Sequence, residues 1–185
     1  MISISFSFTM CLITLLWVLG RVYFWKKQGV IHWKREAQLV LVYICIVVIA
    51  RFTFFPFSKV DGKIQPLLFD PNQAYPFWIN LEPIVHLFEY EVYREAMVNL
   101  VGNTCMFVPV GIIWPVVFRE LDRPWKVISA GVGYSLLIEI LQLPFFGRCS
   151  DVDDLLLNSI GYVAGYGIYL LVKAVIGWIK GVYTK

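Results

Sequence analysis

Charged residues are scarce in this chain: Asp, Glu, Lys and Arg together make up 16% of its 185 residues, and histidine occurs twice. A water-soluble domain carries about 25% charged residues, so a solvated polar shell around an apolar core is excluded. Cysteine is sparse too. Of the four, Cys11, Cys45 and Cys105 lie inside apolar runs, where a thiol behaves as a small hydrophobe, and Cys149 stands in a loop. That spacing excludes a disulfide framework, and no CxxC or Cys/His pattern suggests zinc. The formal charge of +3 comes with no basic run and no nucleic-acid motif, which excludes a nucleic-acid partner. Internal repeats are absent, as is any stretch polar enough to be a soluble domain, so a single membrane domain over residues 1–185 is expected.

What the chain has in plenty is apolar sequence: hydrophobic residues reach 59% and the mean hydropathy is +0.70. The bilayer is therefore its main solvent. Backbone exposed to lipid must satisfy its own hydrogen bonds, and the apolar runs lack the strict alternation of barrel strands, so the expected fold is all-α, a polytopic helix bundle. A span takes about 20 mostly apolar residues. Five candidates lie near residues 4–25, 37–57, 96–118, 125–146 and 155–179. The first lacks the basic start and small-residue cleavage site of a signal peptide, while Arg21, Lys26 and Lys27 follow it, so it reads as a retained helix.

Lysine and arginine set the orientation, because cytoplasmic segments carry the excess. With the N-terminus outside, Arg21, Lys26, Lys27, Lys34, Arg35, Arg119, Arg123, Lys126, Lys173, Lys180 and Lys185 all fall on the inner side. The expected topology is thus N-out and C-in, in the cell membrane, with an outer loop over residues 58–95. That loop opens with turn formers (Asp61, Gly62, Pro66, Asp70, Pro71). It then passes through Asn80 and Glu82 into a stretch where Val85, Phe88, Val92 and Ala96 predict a short helix in the outer interface. Tyr75, Phe77 and Trp78 suit an aromatic belt at that level, and His86 reads as an interfacial side chain.

The polar residues of the spans share faces. Asn99 and Asn103 are one turn apart, with Gly102 allowing another backbone close; Pro109 and Gly111 mark a kink deeper down. Ser135, Glu139 and Gln142 follow at intervals of four and three, and Glu139 is the one carboxylate inside its span, where an ionisable group implies a partner or a function. Asp151, Asp154 and Asn158 line one face at the start of the fifth span, with Asp153 pointing roughly the opposite way. Gly161 and Gly165 continue that face as a close-packing stripe, used for internal packing in preference to dimerisation. Arg51 lies about four turns into the second span, which brings it to the same depth. A pocket opening to the outer leaflet is expected, with Arg148 from the loop after the fourth span at its rim.

At these residues the chain resembles the VanZ-like family. The resemblance rests on NLEP (Asn80 to Pro83), NLVGNTCMFVPVG (Asn99 to Gly111), SLLIEILQ (Ser135 to Gln142) and GRCSDVDDLLLNSIG (Gly147 to Gly161), in this order and spacing. Two departures stand out: a helix precedes the usual first span, and NLEPI replaces the commoner NLxPF. The resemblance implies a membrane protein that lowers susceptibility to teicoplanin-type lipoglycopeptides.

The residues themselves allow several roles. Buried polar groups act as interhelical glue, each worth about 0.6 kcal/mol, though glue alone does not require so many carboxylates. A binding module lined by Arg51, Asn80, Glu82, Asn99, Asn103, Glu139, Gln142, Arg148, Asp151, Asp154 and Asn158 would set Arg51 and Arg148 on a lipid phosphate and its Asn or Asp groups on the sugar or amine of a lipid-linked wall precursor. An enzyme acting on such a substrate would use Glu139, Asp151 and Asp154 as general acid and base or to hold a divalent cation, yet no nucleophile motif accompanies them. Small-solute transport is disfavoured, because no repeat symmetry is present. The expected partners are membrane lipids and a lipid-linked precursor or lipoglycopeptide; no cofactor and no resident metal is expected.

Overall fold

Ser5 opens the first helix by accepting a hydrogen bond from the Phe8 N–H (3.2 Å), and Gly29 closes it in the left-handed region that glycine enters without strain, at φ +71°. Between these caps lie 23 residues of mostly apolar sequence, Phe6–Gln28 (α1). The computed structural model describes residues 2–55, 59–69, 79–83, 93–121 and 123–183. Among them are four further helices, α2 (Trp33–Phe54), α3 (Tyr93–Val117), α4 (Pro124–Gln142) and α5 (Val152–Tyr183). The class is all-α, as the apolar runs predict, and each expected span corresponds to one helix.

Four stretches are long and apolar enough to cross a membrane: α1, α2, Asn99–Val117 of α3 and Val152–Val182 of α5. The remaining helix, α4, is diluted by Lys126, Glu139 and Gln142. Its surface is nevertheless inside-out. Val127, Ser135, Ile138, Glu139 and Gln142 are buried, whereas Ile128, Val132, Leu136 and Ile140 are exposed at intervals of four. Water would invert that pattern; lipid favours it.

The chain forms two compact units. Met1–Asn80 and Ile138–Ser150 make the first. Here α1 and α2 pair in antiparallel fashion: the Phe6 ring meets Phe55 edge-on at 5.4 Å, Thr14 and Tyr43 share a hydroxyl hydrogen bond of 2.6 Å, and Arg21 forms an ion pair with Glu36. α1 buries none of its residues, so polar pairs and rings hold it in place. Both partners of the Arg21–Glu36 pair are largely withdrawn from solvent. Arg21→Met is expected to cost about 3 kcal/mol because it strands a charge, and Arg21→Met/Glu36→Gln to recover most of it; thermal unfolding of the purified protein checks this.

The described part of the outer loop is more regular than its turn formers suggest. β1 (Ile2–Ile4) pairs antiparallel with β4 (Leu67–Phe69), and β2 (Lys59–Val60) with β3 (Lys63–Ile64). Asp61 (φ 51°) and Gly62 (φ 73°) form the two-residue turn between β2 and β3. Positive φ at both central positions is the geometry that Asp-Gly prefers and that matches strand twist. Further short strands are β5 (Ile79–Asn80) and β6 (Ser150–Asp151). Strands this short carry too little alternation to be read from sequence. The expected interfacial helix, His86 and the aromatic belt lie on or run into residues outside those described.

Leu81–Leu137 and Asp151–Lys185 make the second unit, in which α3, the first part of α4 and α5 pack together. Its tightest seam runs along α3 and α5. A Cβ on Gly161 would strike the Thr104 carbonyl, one on Gly165 the Val108 carbonyl, and one on Gly111 the Tyr162 carbonyl. Gly161 and Gly165 therefore serve internal packing. Gly102 does not share that role, since a Cβ there would have open space around it. The close approach falls to Gly111 instead, and α3 runs on as a helix through Pro109 and Pro115.

Candidate functional site

Helix C-termini leave their last carbonyls without intrahelical partners and carry the negative end of the macrodipole. At the end of α2, in the first unit, side chains supply the donors. Gln142 Nε2 donates to the Thr53 carbonyl (3.2 Å), Arg148 to that of Phe54 (2.8 Å), and Arg51 to that of Phe55 (3.2 Å). Two of the three donors are cations, the sign the dipole favours. The Arg51 guanidinium also lies over the Phe6 and Phe52 rings, at 5.6 and 5.2 Å. The loop carrying Arg148 is fastened beside it: the Phe146 N–H donates to the Leu68 carbonyl (2.8 Å), and the Phe145 ring meets Phe54 edge-on at 6.1 Å. Arg51, Gln142 and Arg148 are thus brought together on one helix end. Glu139, one turn before Gln142, is 2% exposed, the most buried carboxylate among the described residues. Asn80 is half-buried in β5.

In the second unit the polar side chains gather where two spanning stretches begin. Asn103 donates from its amide to Asn99 Oδ1 (2.5 Å), one turn back on α3, and also to Asp154 Oδ1 on α5. Asp151 caps α5, its carboxylate accepting from the Asp153 N–H at 2.9 Å. A turn deeper, Asn158 donates to Ser135 Oγ of α4 (3.0 Å). Asn99, Asn103 and Asp154 form one cluster, with Asn158 and Ser135 as the next rung; Glu82 is exposed.

Two features escape a reading by spacing. Asp153, which points away from the Asp151, Asp154 and Asn158 face, is nevertheless buried, at 4% exposure. Its interval of four to the buried Leu157 was the available signal. Tyr162 is buried too, its ring lying where a side chain at Gly131 of α4 would have to be. It follows Asn158 by four residues, so the same face carries it.

A carboxylate held by an amide at the mouth of a membrane-spanning helix pair offers acceptors to amines and hydroxyls. Among the described residues no three His, Cys, Asp or Glu side chains gather closely enough to hold a metal ion. Compared with known proteins, the chain matches the model of the VanZ/LLP1 family over residues 40–173. Neither the curated proteins nor the solved structures include a match.

Proposed function

Because the chain belongs to the VanZ/LLP1 family, we propose that it lowers susceptibility to teicoplanin-type lipoglycopeptides by binding a lipid or lipid-linked wall component at the outer leaflet. The observation that carries this reading is the Asn99–Asn103–Asp154 cluster, set where the spanning stretches of α3 and α5 begin. An acidic group at such a place is costly unless something uses it. Its acceptors suit the amine or hydroxyls of a headgroup or sugar, and occupying that lipid reduces the access of a membrane-anchored glycopeptide. The orientation is N-out and C-in with α4 as a fifth span, which the bias of Lys and Arg and the lipid-type surface of α4 both support. That puts the cluster on the extracytoplasmic side. Binding is favoured over hydrolysis or transfer because Asp151 already serves as a helix cap.

Expression in a susceptible host is expected to raise the teicoplanin concentration that inhibits growth and to leave vancomycin, which lacks the lipid tail, little changed. Native mass spectrometry of the purified protein is expected to find a bound lipid. If inhibition is unmoved at verified protein levels the susceptibility reading fails, and a change in lipid composition on expression would favour the enzyme.

A further inference from the structure

Among the buried polar atoms of the second unit that have no hydrogen-bond partner among the described residues are Trp114 Nε1 on α3, and Asn158 Oδ1 and Tyr162 Oη on α5. Asn158 and Tyr162 are 3% and 1% exposed. Helical spacing sets them one turn apart on one face, and both meet α4, Asn158 at Ser135 Oγ (3.0 Å) and Tyr162 at Gly131. The Trp114 ring reaches Tyr162 edge-on, with centroids 6.0 Å apart, and packs on Tyr134 at 5.1 Å. Residues of two helices that carry such atoms thus pack against a third.

Buried polar atoms are nearly always hydrogen-bonded, and those that protein does not satisfy are satisfied by ordered water making about three bonds. The chemistry of these three is complementary to that ligand. The indole N–H only donates, the Asn158 oxygen only accepts, and the tyrosine hydroxyl does both. A water placed among them accepts from Trp114, donates to Asn158 and exchanges its remaining bond with Tyr162.

We propose that α3, α4 and α5 enclose a built water site lined by Trp114, Asn158 and Tyr162, so that part of the interior of this unit is hydrated. The ligand class is water, because each of the three atoms is a neutral donor or acceptor set among the rings of Phe107, Trp114, Tyr134 and Tyr162. Its effect is to fasten the Asn158 turn of α5 to α3 as well as to α4.

Tyr162→Phe tests this by the sign of its effect, since it removes one oxygen and leaves the ring. With water bound, the variant loses a water ligand, and the Tm of the purified protein is expected to fall by about 2–4 °C. An unchanged or higher Tm overturns the proposal, because a hydroxyl that is merely stranded is better replaced by hydrogen. Asn158→Leu and the double variant complete a cycle. A shared water predicts a double loss clearly smaller than the sum of the single losses, and strict additivity overturns it. Solvent density among the three atoms in a structure resolving water is the expected direct result, and a protein side chain in that place is the opposing one.

Discussion

Gly161→Val is expected to abolish folded, monodisperse protein. Its Cβ alone would strike the Thr104 carbonyl, with the carbonyl carbon at 2.8 Å and the Thr104 Cα at 3.1 Å. Backbone cannot rotate aside as a side chain does, so α3 and α5 would have to separate. Membrane helices associate through close packing and interhelical hydrogen bonds, without a hydrophobic force between them. Separation therefore forfeits the seam from Thr104 to Tyr166 at once, a loss of about 3 kcal/mol or more. Gly167→Val supplies the control, because a Cβ there meets nothing within 4 Å. That variant is expected to purify like the parent; size-exclusion profiles and yields of the two decide the matter. Equal recovery of both would mean that the α3–α5 seam does not hold the unit together.

Asn103→Leu is expected to have the second-largest effect on stability. It removes the amide that donates to Asp154 and to Asn99, and leaves a half-buried carboxylate short of a donor at the start of α5. Loss of a hydrogen bond to a charged group costs about 1.5–3 kcal/mol, read as a lower midpoint in thermal unfolding. Asp154→Asn separates structure from function. An amide oxygen at the same place still accepts from Asn103, so the fold is expected to survive within about 1 kcal/mol. The carboxylate that the proposed lipid contact needs is gone, and reduced teicoplanin susceptibility is expected to be lost. If Asp154→Asn keeps full effect in cells, Asp154 acts only as a strut between α3 and α5.

Much of the architecture was legible because the bilayer imposes one rule along the whole chain. An apolar run must be helical, so run lengths predict helices, and the observed boundaries lie within a few residues of those expected for α1, α2 and α3. The start of α2 and the ends of α4 and α5 depart most: α2 begins at Trp33, the helical part of α4 stops at Gln142, and α5 continues to Tyr183. Short apolar segments in turns look like helix ends, and lysines spaced along a helix look like its terminus. Spacing also placed Asp154, Asn158, Gly161 and Gly165 on one face. It misjudged Gly102, because a face is legible from the sequence but what covers that face is not.

Sequence alone determined that this is a helical membrane protein, which residues share each helical face, and that acidic and amide groups sit near the ends of its spans; those properties follow from local periodicity and the cost of exposing backbone to lipid. Only the tertiary structure decided the partners. Arg51 and Arg148 turn to the carbonyls at the end of α2, Asn103 joins Asp154, and Tyr162 fills the space that Gly131 leaves. The physical reason is that a hydrogen bond or a close contact depends on which helix arrives opposite, at which register and distance, and that choice is made by packing among segments far apart in the chain.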